Sequence, residues 1–198
     1  MNKTNRWAAE YLPAHYDLYE RIDLTRDKKA FNSVCIWSVV ALVLLIIYGL
    51  FRHPFLASFD MEFGRIAFCL GASAVGMLVY IVLHEGVHGI FIRLFTGEAP
   101  TFGVELKKGM AYAGSDYFFR KWPYIIIALA PVVVWGIVLG VWLLDVPEQY
   151  FWYIYMVQIF NLTGAAGDFY VTCRTLMMPG DILAKDTGTA MDFYRPTM

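Results

Sequence analysis

Charged residues are scarce in this chain. Aspartate, glutamate, lysine and arginine together make up 17% of the 198 residues, whereas hydrophobic residues make up 59%. A soluble domain ordinarily carries about 25% charged residues. The shortage of charge therefore excludes an ordinary soluble domain and predicts an integral membrane protein. Because the formal net charge is only −1, there is also no electrostatic reason to expect a nucleic-acid partner.

Cysteine is rare as well. The chain has 3 cysteines, Cys35, Cys69 and Cys173, and they are scattered through apolar segments. An odd, dispersed set argues against a disulfide framework and against a thiolate metal site. A cleavable signal peptide is not expected either, because about 30 mixed polar residues precede an apolar run that is too long for a signal sequence.

Four apolar runs are long enough to cross a bilayer, which takes about 20 helical residues. They cover roughly residues 31–51, 65–95, 123–144 and 147–173. The second run exceeds one crossing, which predicts a tilted helix or one that extends past the interface. Pro131 lies inside the third run. Because proline has no N–H, it is expected to kink that helix or to free one backbone carbonyl.

The predicted fold is an all-α integral membrane domain of about four transmembrane helices, at residues 31–173. Residues 1–30 are predicted to form an N-terminal cytoplasmic or interfacial segment, for which a helix is one interpretation, and residues 174–198 a cytoplasmic tail. Lysine and arginine concentrate before the first run and between the second and third, whereas the loop between the third and fourth has neither. Basic residues favour the cytoplasmic side. Both termini of a multi-pass cell-membrane protein are therefore expected in the cytoplasm.

The loop between the second and third runs, at about 97–122, carries a strand pattern. Apolar and other residues alternate over Thr101–Leu106 and again over Met110–Tyr112, and Lys107-Lys108-Gly109 between them is typical of a turn. This pattern predicts a small β-hairpin. Two interpretations stay open, a surface hairpin that caps the helix ends and an exposed edge that pairs with an extended peptide.

Histidine is also scarce, yet two of the 4 histidines form the motif His84-Glu85-Gly86-Val87-His88 inside the second run. Histidines at i and i+4 project from one helix face, so both can bind one metal ion. The adjacent glutamate is the usual general base for zinc-activated water. Ionisable groups are costly inside a membrane and indicate a functional site. A purely structural, hydrogen-bonded histidine pair is the less favoured alternative.

A catalytic zinc site needs a third protein ligand and an open position for water. Asp168 is preferred as that ligand, because it lies about as deep in the fourth run as His84 and His88 lie in the second. Asn161 precedes it by about two turns on the same helical face, and either catalysis or interhelical hydrogen bonding explains it. His15 and His53 are poorer candidates for the third ligand, and Glu105 and Asp116 in the loop stay open as alternatives.

These features resemble a bacterial membrane family that is described as zincin peptidases within a domain of unknown function. The resemblance rests on His84–Gly89 in an apolar helix, the hairpin loop and the later Asn161 and Asp168, and it covers most of residues 60–195. That family is in turn similar to site-2 proteases, which are intramembrane zinc metalloproteases. The proline residues and the spacing of the site-2 protease asparagine–aspartate signature are not reproduced here.

The resemblance implies a role for each residue of the site. His84, His88 and Asp168 would bind one zinc ion per chain, Glu85 would activate water, and Asn161 would hold the substrate or the oxyanion. The hairpin would present an edge strand to the substrate.

The leading hypothesis is an intramembrane zinc metalloprotease whose partners are the lipid bilayer and a membrane-protein or peptide substrate. Two alternatives stay open, a metal-dependent hydrolase of a lipid or small amide and a non-catalytic zinc-binding scaffold. Glu85 argues against the scaffold, because metal binding alone has little use for a general base.

Overall fold

The computed structural model describes residues 6–24, 26–55, 57–59, 62–106, 110–188 and 190–197. Within these ranges the chain is mostly helical, but it also contains a five-stranded antiparallel sheet. The predicted all-α class is therefore wrong in part. The N-terminal segment, for which a helix was considered, contributes strands to the sheet, as does the tail.

Among the described residues, three helices are long and apolar enough to cross a membrane, α1 (Lys28–Arg52), α2 (Phe63–Thr96) and α3 (Lys121–Leu144). These helices coincide with the first three apolar runs and confirm that those runs are helical. Helix α1 exposes most of its apolar residues, among them Trp37 and Leu44, which are 68% and 62% exposed. Apolar side chains that face outward along a whole helix are what a lipid environment permits. The structure is thus compatible with a membrane location, and the orientation of the termini stays a prediction.

The predicted fourth span is not one helix. It consists of α4 (Phe151–Gly164) and α5 (Ala166–Met177), which are separated at Ala165. Ala165 leaves the helical region with ψ of 13°, directly after a glycine, whose helix propensity is about 1 kcal/mol poorer than that of alanine. Averaged hydropathy does not detect such a break, because apolar residues continue on both sides of it.

The five-stranded sheet joins strands from distant parts of the chain. Its order is β1 (Ala8–Ala9), β5 (Phe118–Arg120), β6 (Leu183–Asp186), β7 (Ala190–Pro196) and β2 (Tyr16–Asp23), with all neighbours antiparallel. Gly188 lies between β6 and β7 with φ of +96°, a conformation that glycine adopts without steric cost.

A second, two-stranded sheet confirms the predicted hairpin. Strand β3 (Thr101–Glu105) pairs with β4 (Met110–Gly114), so that Thr101 faces Gly114 and Glu105 faces Met110. The turn that was predicted at 107–109 lies outside the described residues.

The described chain divides into two compact units. The first unit comprises the residues up to Ser33, Glu85–Pro131 and the residues from Gly167 onward, and it contains both sheets. The second comprises Val34–His84 and Val132–Ala166. Its core is a mainly aromatic cluster of Phe59, Cys69, Phe151, Trp152, Tyr155 and Ile159.

The sheet of the first unit has its own buried core. Phe193 on β7 is 0% exposed, and its ring lies 5.7 Å from that of Tyr124 in a T-shaped arrangement. Aromatic pairs of this geometry stabilise a core beyond the area that they bury. The contact joins the C-terminal strand to the first turns of α3.

Replacing Phe193 with alanine should therefore destabilise the protein by about 3–5 kcal/mol, the usual cost of truncating a buried phenylalanine. Leu18→Ala on β2 is the matched control, because Leu18 is 55% exposed. Thermal unfolding in detergent measures both variants. Equal losses in the two would contradict the assignment of Phe193 to the core.

Candidate metal centre

The two histidines and the glutamate of the motif lie on adjacent turns of α2. One ligand atom from each of His84, Glu85 and His88 lies within 4.8 Å of the others. His84 and His88 are 9% and 8% exposed. The 3.6-residue repeat of a helix produces this cluster directly, because positions i and i+4 share a face. The group can hold a metal ion.

His88 is oriented by a backbone carbonyl. Its Nδ1 lies 2.8 Å from the oxygen of Ile127 in α3. In a regular helix this oxygen would accept the N–H of residue 131, but that residue is Pro131, which has no N–H. Pro131 therefore leaves the Ile127 carbonyl without its helical partner, as predicted, and His88 forms a hydrogen bond with this carbonyl.

Asp168 lies beside the other nitrogen of His88. Its Oδ1 is 3.7 Å from His88 Nε2, which is too long for a hydrogen bond. Two ligands of a tetrahedral zinc ion, each bound at about 2.0–2.1 Å, are about 3.3 Å apart. The spacing therefore fits two atoms that share a metal ion. An imidazole nitrogen and a carboxylate oxygen are both ligand types that zinc takes in catalytic sites, and the role of Asp168 as the third ligand stays a prediction.

Helix α5 holds Asp168 in its first turn and is itself fixed at its far end. Lys121 Nζ donates to the carbonyl oxygens of Leu176 and Met178, at 3.0 and 2.5 Å. Arg174 donates to Glu20 on β2 at 2.5 Å. A cation at the last carbonyls of a helix is favourable. These contacts tie α5, and with it Asp168, to the rest of the first unit.

Tyr80 links His84 to Asn161. The Tyr80 hydroxyl lies 2.7 Å from His84 Nδ1 and 2.6 Å from Asn161 Oδ1. Asn161 is 0% exposed, and its amide nitrogen donates to the Val132 carbonyl at 3.4 Å and to Gln158 Oε1 at 3.3 Å. These contacts agree with interhelical hydrogen bonding by Asn161, and its direct role in catalysis stays a prediction.

Sequence reasoning missed Tyr80. The signal that could have found it is its position one turn before His84 on the same helix face. In a chain with 13 tyrosines, 15 phenylalanines and 6 tryptophans, residue type alone does not distinguish Tyr80 from the other aromatic residues of the apolar helices.

Most of the remaining ligand candidates have other contacts. His53 lies 3.6 Å from Glu148, with its ring 4.0 Å from that of Phe151. The ring of His15 packs against Tyr16 at 5.0 Å. Asp116 forms an ion pair with Lys185 at 3.1 Å. Glu105 is the last residue of β3.

Asp186 is a second carboxylate in the first unit that sequence reasoning did not assign to the site. Its Oδ2 accepts the Tyr124 hydroxyl at 2.8 Å, and its Oδ1 accepts the Gly188 N–H at 2.8 Å. Burial raises the pKa of Asp186, and the charge of Asp168 adds to that rise. The two hydrogen bonds oppose the rise, as would a positive charge on His88. Asp186 therefore belongs to the electrostatic surroundings of His88.

The hairpin packs against α2 immediately beyond the motif. A Cβ atom at Gly89 would lie 2.6 Å from the ring of Phe102 on β3 and 3.0 Å from Pro100. Only glycine permits this close approach without a shift of the neighbours. Phe102 and Val104, which share one face of β3, are still 55% and 63% exposed. An exposed strand thus lies next to His88.

A His-Glu-His group on a helix, arranged so that it can hold a metal ion, is the type of site found in zincins. Residues 77–183 match the family DUF3267, described as "Putative zincin peptidase". The chain belongs to this family, as its resemblance predicted. Membership indicates a metallopeptidase and implies zinc as the cofactor, in agreement with the metal-binding group on α2.

A relative from Pyrococcus woesei has the name "Uncharacterized 24.7 kDa protein in gap 5'region". It is 30% identical over 118 residues, which are 58% of this chain and 51% of the relative. The chain thus spans about half the length of the curated relative that it matches. No solved structure matches the chain.

Asp168→Asn should lower the affinity for zinc at least about 10-fold, because loss of even an outer partner of a zinc ligand costs about 10–100-fold. The variant keeps the shape of the side chain and removes its charge. Asp116→Asn is the control, since the side chain of Asp116 is 94% exposed. Competition with a chelator measures both affinities. Wild-type affinity in folded Asp168→Asn would remove Asp168 from the ligand set.

Proposed function

We propose that this protein is an intramembrane zinc metalloprotease that hydrolyses peptide bonds in membrane-associated substrates. The observation that carries the proposal is the group of His84, Glu85 and His88 on α2, a helix that is apolar enough to cross a membrane. Membership of a family described as "Putative zincin peptidase" supports the peptidase class. The intramembrane setting, the bilayer partner and the cytoplasmic termini are part of the proposal.

His84, His88 and Asp168 would hold the zinc ion. When bound, zinc supplies a Lewis acid that polarises a carbonyl group and makes a water molecule more acidic. The distance of 3.7 Å between His88 Nε2 and Asp168 Oδ1 supports the pairing of these two ligands, and the group on α2 supports the pairing of His84 with His88. The acidic surroundings to which Asp186 contributes favour a divalent cation.

Glu85 is proposed as the general base and acid. One oxygen of its carboxylate takes a proton from the attacking water while the water oxygen bonds to the carbonyl carbon of the substrate. The peptide C–N bond then breaks, and Glu85 returns the proton to the leaving nitrogen. Glu85 is half-buried and follows His84 directly in sequence, which keeps the base beside a proposed ligand.

The hairpin is proposed as the surface that receives the substrate. A helical substrate hides its carbonyl groups in its own hydrogen bonds, so a segment must unwind before it can be cut. An extended segment can pair with the edge of a strand through main-chain hydrogen bonds. Strand β3 supports this role, because its Phe102 packs at Gly89, next to His88.

Glu85→Gln should abolish cleavage of transmembrane reporter substrates while zinc remains bound. Loss of a general base costs about 100- to 10,000-fold in rate, and glutamine keeps the size of the side chain. Zinc content and the appearance of cleaved fragments are measured on the same purified sample. Glu98→Gln, in the loop after α2, is the control.

The outcomes separate the remaining functions. Cleavage that persists in Glu85→Gln would reject this mechanism. Hydrolysis of lipid or small-amide substrates by the wild-type protein, without cleavage of peptides, would favour the alternative hydrolase. Stoichiometric zinc without hydrolysis of any of these substrates would favour a scaffold.

Gly89→Ala should reduce peptide cleavage by about 10-fold or more without loss of zinc. The added Cβ would overlap Phe102 and Pro100 and shift the strand, and misplacing a substrate by about 1 Å costs up to about 100-fold. Gly71→Ala on the same helix is the control, because nothing lies within 4 Å of a Cβ there. Equal cleavage by the two variants would contradict a role for the hairpin.

A further inference from the structure

We propose that Tyr80 and Pro131 are positioning residues that hold His84 and His88 in the same tautomer, with the proton on Nδ1 and the lone pair on Nε2, the nitrogen that would bind a metal ion. The inference rests on the proposed use of the two histidines as zinc ligands. It assigns functions to a tyrosine and a proline that contribute no ligand atom.

Proton counting fixes the tautomer of His84. Asn161 Nδ2 lies against the Val132 carbonyl, which only accepts, so Oδ1 is the amide atom that faces Tyr80. The single Tyr80 hydroxyl proton is therefore donated to Asn161 Oδ1 at 2.6 Å. The hydroxyl oxygen must then accept the hydrogen bond from His84, at 2.7 Å. His84 consequently carries its proton on Nδ1.

A backbone group fixes the tautomer of His88. The Ile127 carbonyl oxygen accepts from His88 Nδ1 at 2.8 Å, and a carbonyl has no proton to give. His88 therefore also carries its proton on Nδ1. The carbonyl is accessible because Pro131, which is fully buried, supplies no N–H to compete for it.

The hydrogen bonds around His84 are buried, so the loss of one of them is costly. Tyr80 is 5% and Asn161 0% exposed, so water cannot easily replace a lost partner. A zinc-binding histidine ordinarily donates its other ring N–H to a carboxylate, carbonyl or water, and loss of that partner weakens metal binding about 10–100-fold. Here a side chain performs this function for one ligand and a helix carbonyl for the other.

Tyr80→Phe tests the first half of the proposal by removing only the hydroxyl group. We expect the dissociation constant for zinc to rise about 10–100-fold. Tyr155→Phe is a closely matched control, because Tyr155 is also 5% exposed and its hydroxyl donates to the Leu45 carbonyl at 2.7 Å, in the same unit. If zinc affinity fell only because a buried hydrogen bond is lost, the dissociation constant would rise equally in both variants.

Pro131→Ala tests the second half by restoring an N–H that competes for the Ile127 carbonyl. We expect the melting temperature of the metal-free protein to rise or stay the same, because alanine favours the helix, while the affinity for zinc falls about 10-fold or more. Pro123→Ala, in the first turn of α3, is the control, since a proline there displaces no helical hydrogen bond. A purely structural proline would raise stability and leave zinc binding unchanged.

A readout without metal separates this inference from the proposed function. The 15N spectrum of the metal-free protein, labelled at histidine, distinguishes a protonated Nδ1 from a protonated Nε2 at each ring. Wild type should show the Nδ1–H form at His84 and His88, and Tyr80→Phe should lose it at His84 alone. An Nε2–H form in wild type, or wild-type zinc affinity in both Tyr80→Phe and Pro131→Ala, would overturn the inference. Failure of wild type to bind zinc would instead overturn the proposed function.

Discussion

The burial of two imidazole rings on an apolar helix is the constraint on which the rest of the site depends. A polar group that leaves water without a partner costs several kcal/mol. Each ring therefore needs a partner from the protein for its Nδ1. His88 obtains one from the Ile127 carbonyl at 2.8 Å, and His84 from the Tyr80 hydroxyl at 2.7 Å. In the proposed site, Nε2 is then the ring nitrogen that binds the metal ion.

The break in the fourth apolar run has a corresponding consequence for the third candidate ligand. A continuous helix would carry Asp168 in its interior, where a carboxylate is poorly placed. Because α4 ends at Gly164 and α5 begins at Ala166, Asp168 instead lies in the first turn of a new helix, where the helix dipole stabilises negative charge. The backbone irregularity thus lowers the cost of placing an acidic group beside His88.

Local patterns predicted much of this protein, and long-range pairing accounts for most of what they missed. Helical spacing identified His84 and His88, the lack of an N–H predicted the effect of Pro131, and alternation predicted the hairpin. Asp168 was expected at the same depth as the two histidines, and it lies 3.7 Å from His88. The larger sheet was missed because β1 and β5 have only 2 and 3 residues and because β2 pairs with β7 at the other end of the chain. No local window contains both partners.

Electrostatics within the first unit explain why a cation suits the site. The charge of Asp168 contributes to the raised pKa of Asp186, whereas a positive charge on His88 would lower it. The two negative charges repel each other, and Asp186 is stabilised by the Tyr124 hydroxyl and the Gly188 N–H. A divalent ion held by Asp168 would relieve this repulsion without requiring a proton. The charges near His88 thus support the proposed metal site, as does the orientation inferred for the two rings.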